Sequence, residues 1–107
     1  MPVNERRQIQ ISYDEDEVYN VIAMFKALSD PTRLRIISVL TQESSICVSD
    51  IARLLHMSVS RVSHHLSMLE KLGFTRHKQD GKQVYYKIDD DCILDILARA
   101  QEHVRGS

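Results

Sequence analysis

The stretch Val48–Leu72, VSDIARLLHMSVSRVSHHLSMLEKL, decides the fold, because it reads as two helices joined by a turn too short for anything else. In its first half Ile51, Leu54 and Leu55 fall at i, i+3 and i+4, the spacing of one apolar helix face. The pattern breaks at His56-Met57-Ser58, and Ser58 is suited to cap the next helix, its hydroxyl accepting from the free N–H groups of the first turn. In the second half Val62, Leu66 and Leu69 repeat at i, i+4 and i+7 on one side, with Ser60, His64, Ser67 and Lys71 on the other. The stretch predicts a helix-turn-helix. An outward stripe of hydroxyls, imidazole and a cation, free of carboxylates, suits phosphates and base edges in a DNA major groove. The competing reading of the stripe is a solvated helix face.

Downstream, Gly73 predicts the end of the second helix, where a left-handed residue is needed beyond the last turn. The period then changes. Phe74 to Gln79 and Lys82 to Ile88 are two short strand-like runs around Asp80-Gly81, which predicts a hairpin through a type I′ turn. Its tip and flanks hold Arg76, His77, Lys78, Lys82 and Gln83. A basic hairpin after a recognition helix is a wing, placed to touch the DNA backbone or minor groove; the competing reading is an ordinary solvated hairpin.

Upstream, the acidic run Asp14–Glu17 suits the positive end of a helix dipole, and Val18, Ile22, Phe25 and Leu28 carry a helical repeat. Val21 and Met24 widen this apolar surface beyond the needs of a small core, which points to a second buried contact such as a subunit partner. Asp30 caps a second helix with Pro31 at its first position, where a missing N–H costs nothing. That helix runs through Leu34, Ile36, Ile37 and Leu40 and ends near Thr41 to Ser45. A last helix starts at the aspartates 89 to 91 and carries Ile93, Ile96, Leu97, Ala100 and Val104 along one stripe. The winged module already closes its core with three helices, so this stripe is expected to pair with its own copy in a homodimer. The expected fold is mainly α with a small β-hairpin, a winged helix-turn-helix dimeric through its first and last helices. Residues 1–13 form a flexible N-terminal arm and 14–107 the DNA-binding and dimerisation domain.

At 107 residues the chain is long enough for a single core. No run approaches the roughly 18 apolar residues of a membrane span, and NERRQIQIS at the N-terminus lacks the apolar centre of a signal peptide, so no membrane partner and a cytoplasmic location are expected. A net charge of −1 is unfavourable for nucleic acid taken as a whole, but its distribution is not. From Arg53 to Lys87 seven Lys or Arg, Arg61 among them, oppose only Glu70 and Asp80, while acid gathers at 14–17 and 89–91. Cys47 and Cys92 are far apart in sequence and form no CxxC pair, which favours free thiols.

Together LSDPTRLRIISVL, CVSDIARLL, SVSRVSHHLSMLEKLG and DGKQVYYKI resemble the ArsR/SmtB family of bacterial metal-sensing repressors, over roughly residues 18 to 104. The resemblance implies a dimeric winged helix-turn-helix that binds double-stranded operator DNA in its apo form and is released by an inducer. It places recognition-helix contacts on Val59, Ser60, Ser63 and His64, overlapping the polar stripe read from spacing. Arg61, Ser67, Arg76, Lys78 and Lys82 complete the candidate DNA-binding set. One family metal site uses a CVC pair and arm cysteines; Cys47-Val48-Ser49 keeps only the first, and the arm has none, so that site looks lost. A second uses an Asp-x-His pair opening the last helix, with ligands eleven and fourteen residues on from the opposite subunit. The matching positions are Asp90, Cys92, His103 and Gly106, three of which can bind metal.

Cys92 and His103 share nearly one helix face but stand roughly 16 Å apart along the axis, so a single chain cannot bring them to one ion, whereas an antiparallel pair of such helices can. A thiolate, an imidazole and a carboxylate suit zinc or a softer ion such as cadmium. The competing readings are a cysteine acting as a small hydrophobe and a solvated terminal histidine. The leading expectation is therefore a repressor released by a zinc-like or softer divalent ion. The alternative is a thiol-based redox or sulfur-species sensor of the same fold, with Cys47 and Cys92 as the reactive pair. An enzyme is not expected, since no Gly-rich phosphate loop, HExxH or supported nucleophile motif occurs.

Overall fold

The computed structural model describes residues 8–106. Helix α1 (Glu15–Leu28) opens on a reciprocal cap, Asp14 accepting from the Glu17 N–H at 2.8 Å while Glu17 accepts from the Asp14 N–H at 3.0 Å. Helix α2 (Pro31–Gln42) is capped by Asp30, which accepts from the Arg33 N–H, with Pro31 in the first turn as its chemistry requires. Strand β1 (Ile46–Cys47), helix α3 (Val48–Leu55), helix α4 (Val59–Lys71), strands β2 (Thr75–Asp80) and β3 (Gln83–Ile88), and helix α5 (Asp91–Arg105) follow. The result is a winged helix-turn-helix, mainly α with a small antiparallel sheet.

The turn between α3 and α4 is made by His56, the only non-glycine residue with positive φ (56°) among the described residues. The Met57 N–H reaches the Ala52 carbonyl and the His56 N–H the Arg53 carbonyl, closing α3 without a glycine. Helix α4 ends in the same pair of bonds, Phe74 N–H to Leu69 and Gly73 N–H to Glu70, with Gly73 at φ 83°. Ile36, Ile51, Val62, Leu66, Leu69 and Phe74 form the centre of the core, and the Thr75 hydroxyl buried among them donates to the Leu66 carbonyl.

Three local expectations need correction. Leu54 does not face the core: it is 57% exposed, and the inward stripe of α3 is Val48, Ile51 and Ala52, with Leu55 at its margin. Helix α3 begins at Val48 immediately after a strand, so Val48 itself packs inward and turns Leu54 out. The hairpin loop is Gly81-Lys82 and not Asp80-Gly81, because Asp80 pairs with Gln83 in the ladder. Gly81 has φ 63° and Lys82 does not have positive φ, the sign pattern of a type II′ turn with glycine first. Finally, the sheet has a third strand, in the order β1-β3-β2, with Ile46 opposite Tyr86 and Cys47 opposite Tyr85. A two-residue strand has no period of its own to read.

The arm expected over residues 1–13 falls partly outside the described residues, which begin at 8; residues 8–13 carry no helix or strand. Of α1 only Ala27 and Leu28 are buried, and of α5 only Ile93, so the outer lengths of both helices keep their apolar stripes at the surface.

Candidate functional site

Residues Val59, Ser63 and Ser67 form one i, i+4, i+8 row of α4, and this row faces the wing across an open groove of about 550 Å³. Ser49, His77, Gln79, Lys82 and Gln83 line the same groove. Its chemistry is compatible with DNA: an apolar Val59 suited to a thymine methyl, hydroxyls and amides suited to base edges, and an ammonium suited to phosphate. Ser60, Arg61 and His64 lie on α4 outside that row, and all three are exposed.

Strand alternation sorts the wing. His77 and Gln79 point from β2 toward α4, whereas Arg76 and Lys78 belong to the other face. The expected basic set is thus divided, with Lys82 beside the α4 hydroxyls and Lys78 on the far side. Arg76 sits at the wing base, its Nε 3.3 Å from the Asp89 carboxylate, so its charge is partly matched already.

Several side chains that spacing did not single out hold this surface together. Ser49 Oγ donates to Gln83 Oε1 at 3.1 Å, tying the start of α3 to the wing. His77 Nδ1 lies 2.8 and 3.0 Å from the two Glu70 carboxylate oxygens, and its ring packs on Tyr86 with centroids 5.4 Å apart. Burial pushes the Tyr86 phenol up from its ordinary range, with the nearby Glu70 charge adding to it. Behind α4, Arg33 Nε donates to His65 Nδ1 at 3.1 Å, joining the recognition helix to α2. Desolvation first, and then the Arg33 charge, holds His65 below its usual pKa. The adjacent histidines therefore differ in role: His64 faces solvent and His65 is a packing group. No signal in one sequence marks these cross-element pairs, because each joins residues distant along the chain.

Asp90, an exposed residue, accepts from the Cys92 N–H at 2.9 Å through one carboxylate oxygen as the cap of α5. Cys92 is exposed in the first turn of α5 and His103 exposed in the last. Within one chain the three do not converge, and among the described residues no group of three or more His, Cys, Asp or Glu could hold an ion. Cys47 is buried, with its sulfur 3.5 Å from Ser49 Oγ. The Cys47 thiol and the Arg53 guanidinium hold the Asp50 carboxyl below its ordinary range. Buried Cys47 and exposed Cys92 are both free thiols, on different elements.

Residues 30–76, from the cap of α2 into the wing, match the family described as bacterial regulatory protein, arsR family. A cadmium resistance transcriptional regulatory protein, the CadC homolog of Staphylococcus aureus, is 41% identical over 86 residues, covering 80% of this chain and 71% of that protein. The chain belongs to the arsR family. A transcriptional repressor SmtB homolog of Synechocystis is 32% identical over 86% of this chain and 69% of its own length. The crystal structure of the antimony-specific transcriptional repressor AntR matches with a TM-score of 0.76 at 28% identity, over 96% of this chain and 89% of that one. As an arsR-family winged helix-turn-helix protein this is a DNA-binding transcriptional regulator and not an enzyme. Among its described residues no helix is long and apolar enough to cross a membrane.

Proposed function

We propose that the protein is a homodimeric repressor that leaves its operator when a zinc-like or softer divalent ion binds between the subunits. The observation that carries this reading is the placement of Asp90 and Cys92 at one end of α5 and His103 at the other, all exposed, on a chain 41% identical to a cadmium resistance regulator. The donor set fits such an ion: a thiolate, an imidazole and the Asp90 oxygen not used in capping suit zinc or cadmium better than magnesium. The ligands would be Asp90 and Cys92 of one protomer with His103 of its partner, giving two equivalent sites by symmetry. Gly106, at the fourth family position, offers no side chain.

Dimerisation would use the exposed stripes of α1 and α5. Each recognition helix is fixed to its own subunit through the core, so an ion that favours one placement of the subunits changes the spacing of the two DNA-reading surfaces. The ion must bind the DNA-incompetent arrangement more tightly, and a coupling of about 1 to 3 kcal/mol would weaken operator binding roughly 5-fold to 150-fold. Such a regulator works in the compartment that holds its operator, the cytoplasm.

On the DNA side the bases are read by Val59, Ser60, Ser63, His64 and Ser67, with Arg61, Arg76, Lys78 and Lys82 toward the backbone. Lys82→Ala should weaken binding to all sequences and lower the salt slope by about one, while Ser63→Ala should chiefly erode discrimination. The metal reading is tested by DNA release in the presence of zinc or cadmium for Cys92→Ser, His103→Ala and Cys47→Ser. Loss of response in the first two with retention in the third is the expected result. Loss in either cysteine variant, with His103→Ala still responsive and no metal needed, would make the protein a thiol sensor instead.

A further inference from the structure

We propose that Glu70 and His77 form a positioning clamp that sets the wing against the recognition helix, and that operator binding draws a proton onto His77. The inference rests on reading α4 and the wing as the DNA surface. Glu70 is the one carboxylate of α4. It meets His77 of β2 through both oxygens, at 2.8 and 3.0 Å, and since an ionised carboxylate can only accept, Nδ1 carries the shared hydrogen. Tyr86, buried on β3 directly opposite His77 in the ladder, backs the imidazole. On the other flank Ser49 ties α3 to Gln83. The wing is thus fastened at its base to α4 and near its tip to α3, and of the two fastenings only the one at the base joins ionisable side chains.

The groups around His77 decide the sign. Glu70 faces it from α4, the Tyr86 phenol from β3, and Lys82 lines the same groove from the turn; Arg76 and Lys78 project from the opposite face of β2, and Lys87 pairs opposite Arg76. Tyr86 stays neutral, its phenol pushed up by burial. With a neutral imidazole the clamp presents one uncompensated negative charge at the edge of a groove that is to receive phosphates. With the imidazolium the pair is neutral. A polyanion favours the second state, so the complex holds the proton more tightly than the free protein does, and operator affinity rises as pH falls. Each unit by which the operator raises the proton affinity of His77 is tenfold in binding between the two plateaus.

The test uses the full chain and a duplex selected from random DNA by the wild-type protein, titrated by fluorescence anisotropy from pH 5.5 to 8.5 at constant ionic strength. Wild type is expected to bind up to about 10-fold more tightly at the acidic end through this group. His77→Gln, whose amide can still donate to Glu70, should lose that share, and Glu70→Gln should bind at pH 8.5 nearly as wild type does at pH 5.5. His64 is an exposed imidazole on the same helix, so His64→Gln is run alongside as a control and should leave the share lost in His77→Gln in place. A clamp that only holds shape would weaken binding equally at every pH. An unchanged pH profile in His77→Gln overturns the proposal, as does an NMR titration of the unaltered protein in which adding the duplex leaves the His77 ring midpoint where it was. Failure of wild type to bind any duplex in a salt-dependent way would overturn the DNA reading itself, a different result.

Discussion

The segment from α2 to β3 and the two terminal helices follow opposite rules in the same chain. In the first, apolar stripes meet inside one protomer: Ile36, Ile51, Val62, Leu66, Leu69 and Phe74 are all fully buried or nearly so. In the second, each stripe is covered only in part: Leu28 and Ile93 are buried, but Ile22 is 48% and Phe25 52% exposed on α1, and Val104 83% exposed on α5. An apolar groove of about 730 Å³ also lies open between α2 and α5, lined by Leu34, Ile37, Leu94, Leu97 and Val104. The radius of gyration, 16.2 Å, exceeds the roughly 13 Å of a compact chain near this length, as expected of a molecule whose ends extend beyond its core. The DNA-reading unit is complete in one copy, whereas the terminal helices are amphipathic in a way that one copy does not use.

That contrast is broken most directly by truncating its complete half. Leu66→Ala opens a cavity at the centre of the core and should lower unfolding free energy by about 2 to 5 kcal/mol in a denaturant titration. Phe25→Glu sharpens the other side. It places a charge on a residue already half exposed in one chain, so the protomer should keep its fold by circular dichroism, while sedimentation should shift from dimer to monomer and operator binding should fall with it. A Phe25→Glu protein that remains dimeric would remove α1 from the interface.

Smaller effects test the turn between α3 and α4 and the junction between α4 and α2. Ser58 accepts from the Arg61 N–H at 3.2 Å, and Ser58→Ala should cost about 1 kcal/mol of stability with the recognition surface unchanged. His65 should make the same half sensitive to acid. Its folded pKa is depressed by burial and by Arg33, so the stability it contributes is present above about 6.5 and lost as pH falls through the lower folded value. Thermal unfolding should therefore weaken from pH 7.5 to pH 5, and His65→Gln, which keeps an acceptor for Arg33, should weaken less. Asp30 and Asp50 act with the same sign, but only as pH drops below the carboxylate range near 3.8. The smallest effect is expected at His56. Relieving its left-handed backbone with His56→Gly should be neutral or stabilising by up to about 1 kcal/mol, the relief being offset by the greater freedom of an unfolded glycine.

By itself the sequence determined what depends on neighbours within a turn or two. The caps at Asp14, Asp30, Ser58 and the aspartates before α5, the break at His56, the stop at Gly73 and the inward rows of α4 are all local matters of hydrogen-bond capacity and helical period. Of the α4 row that lines the groove, helical period marks only Ser67; Val59 and Ser63 come from the family resemblance. Tertiary structure alone decided what depends on residues distant in the chain. Pairing of Ile46 and Cys47 with β3 made a strand too short to have a pattern, and packing of Val48 turned Leu54 outward. The ladder set the turn one residue later than its Asp-Gly signal, and so put His77 on the groove face and Lys78 on the other. Glu70–His77, Ser49–Gln83 and Arg33–His65 likewise exist only once separate elements are docked, because side-chain reach acts through space and the linear sequence carries no measure of that distance.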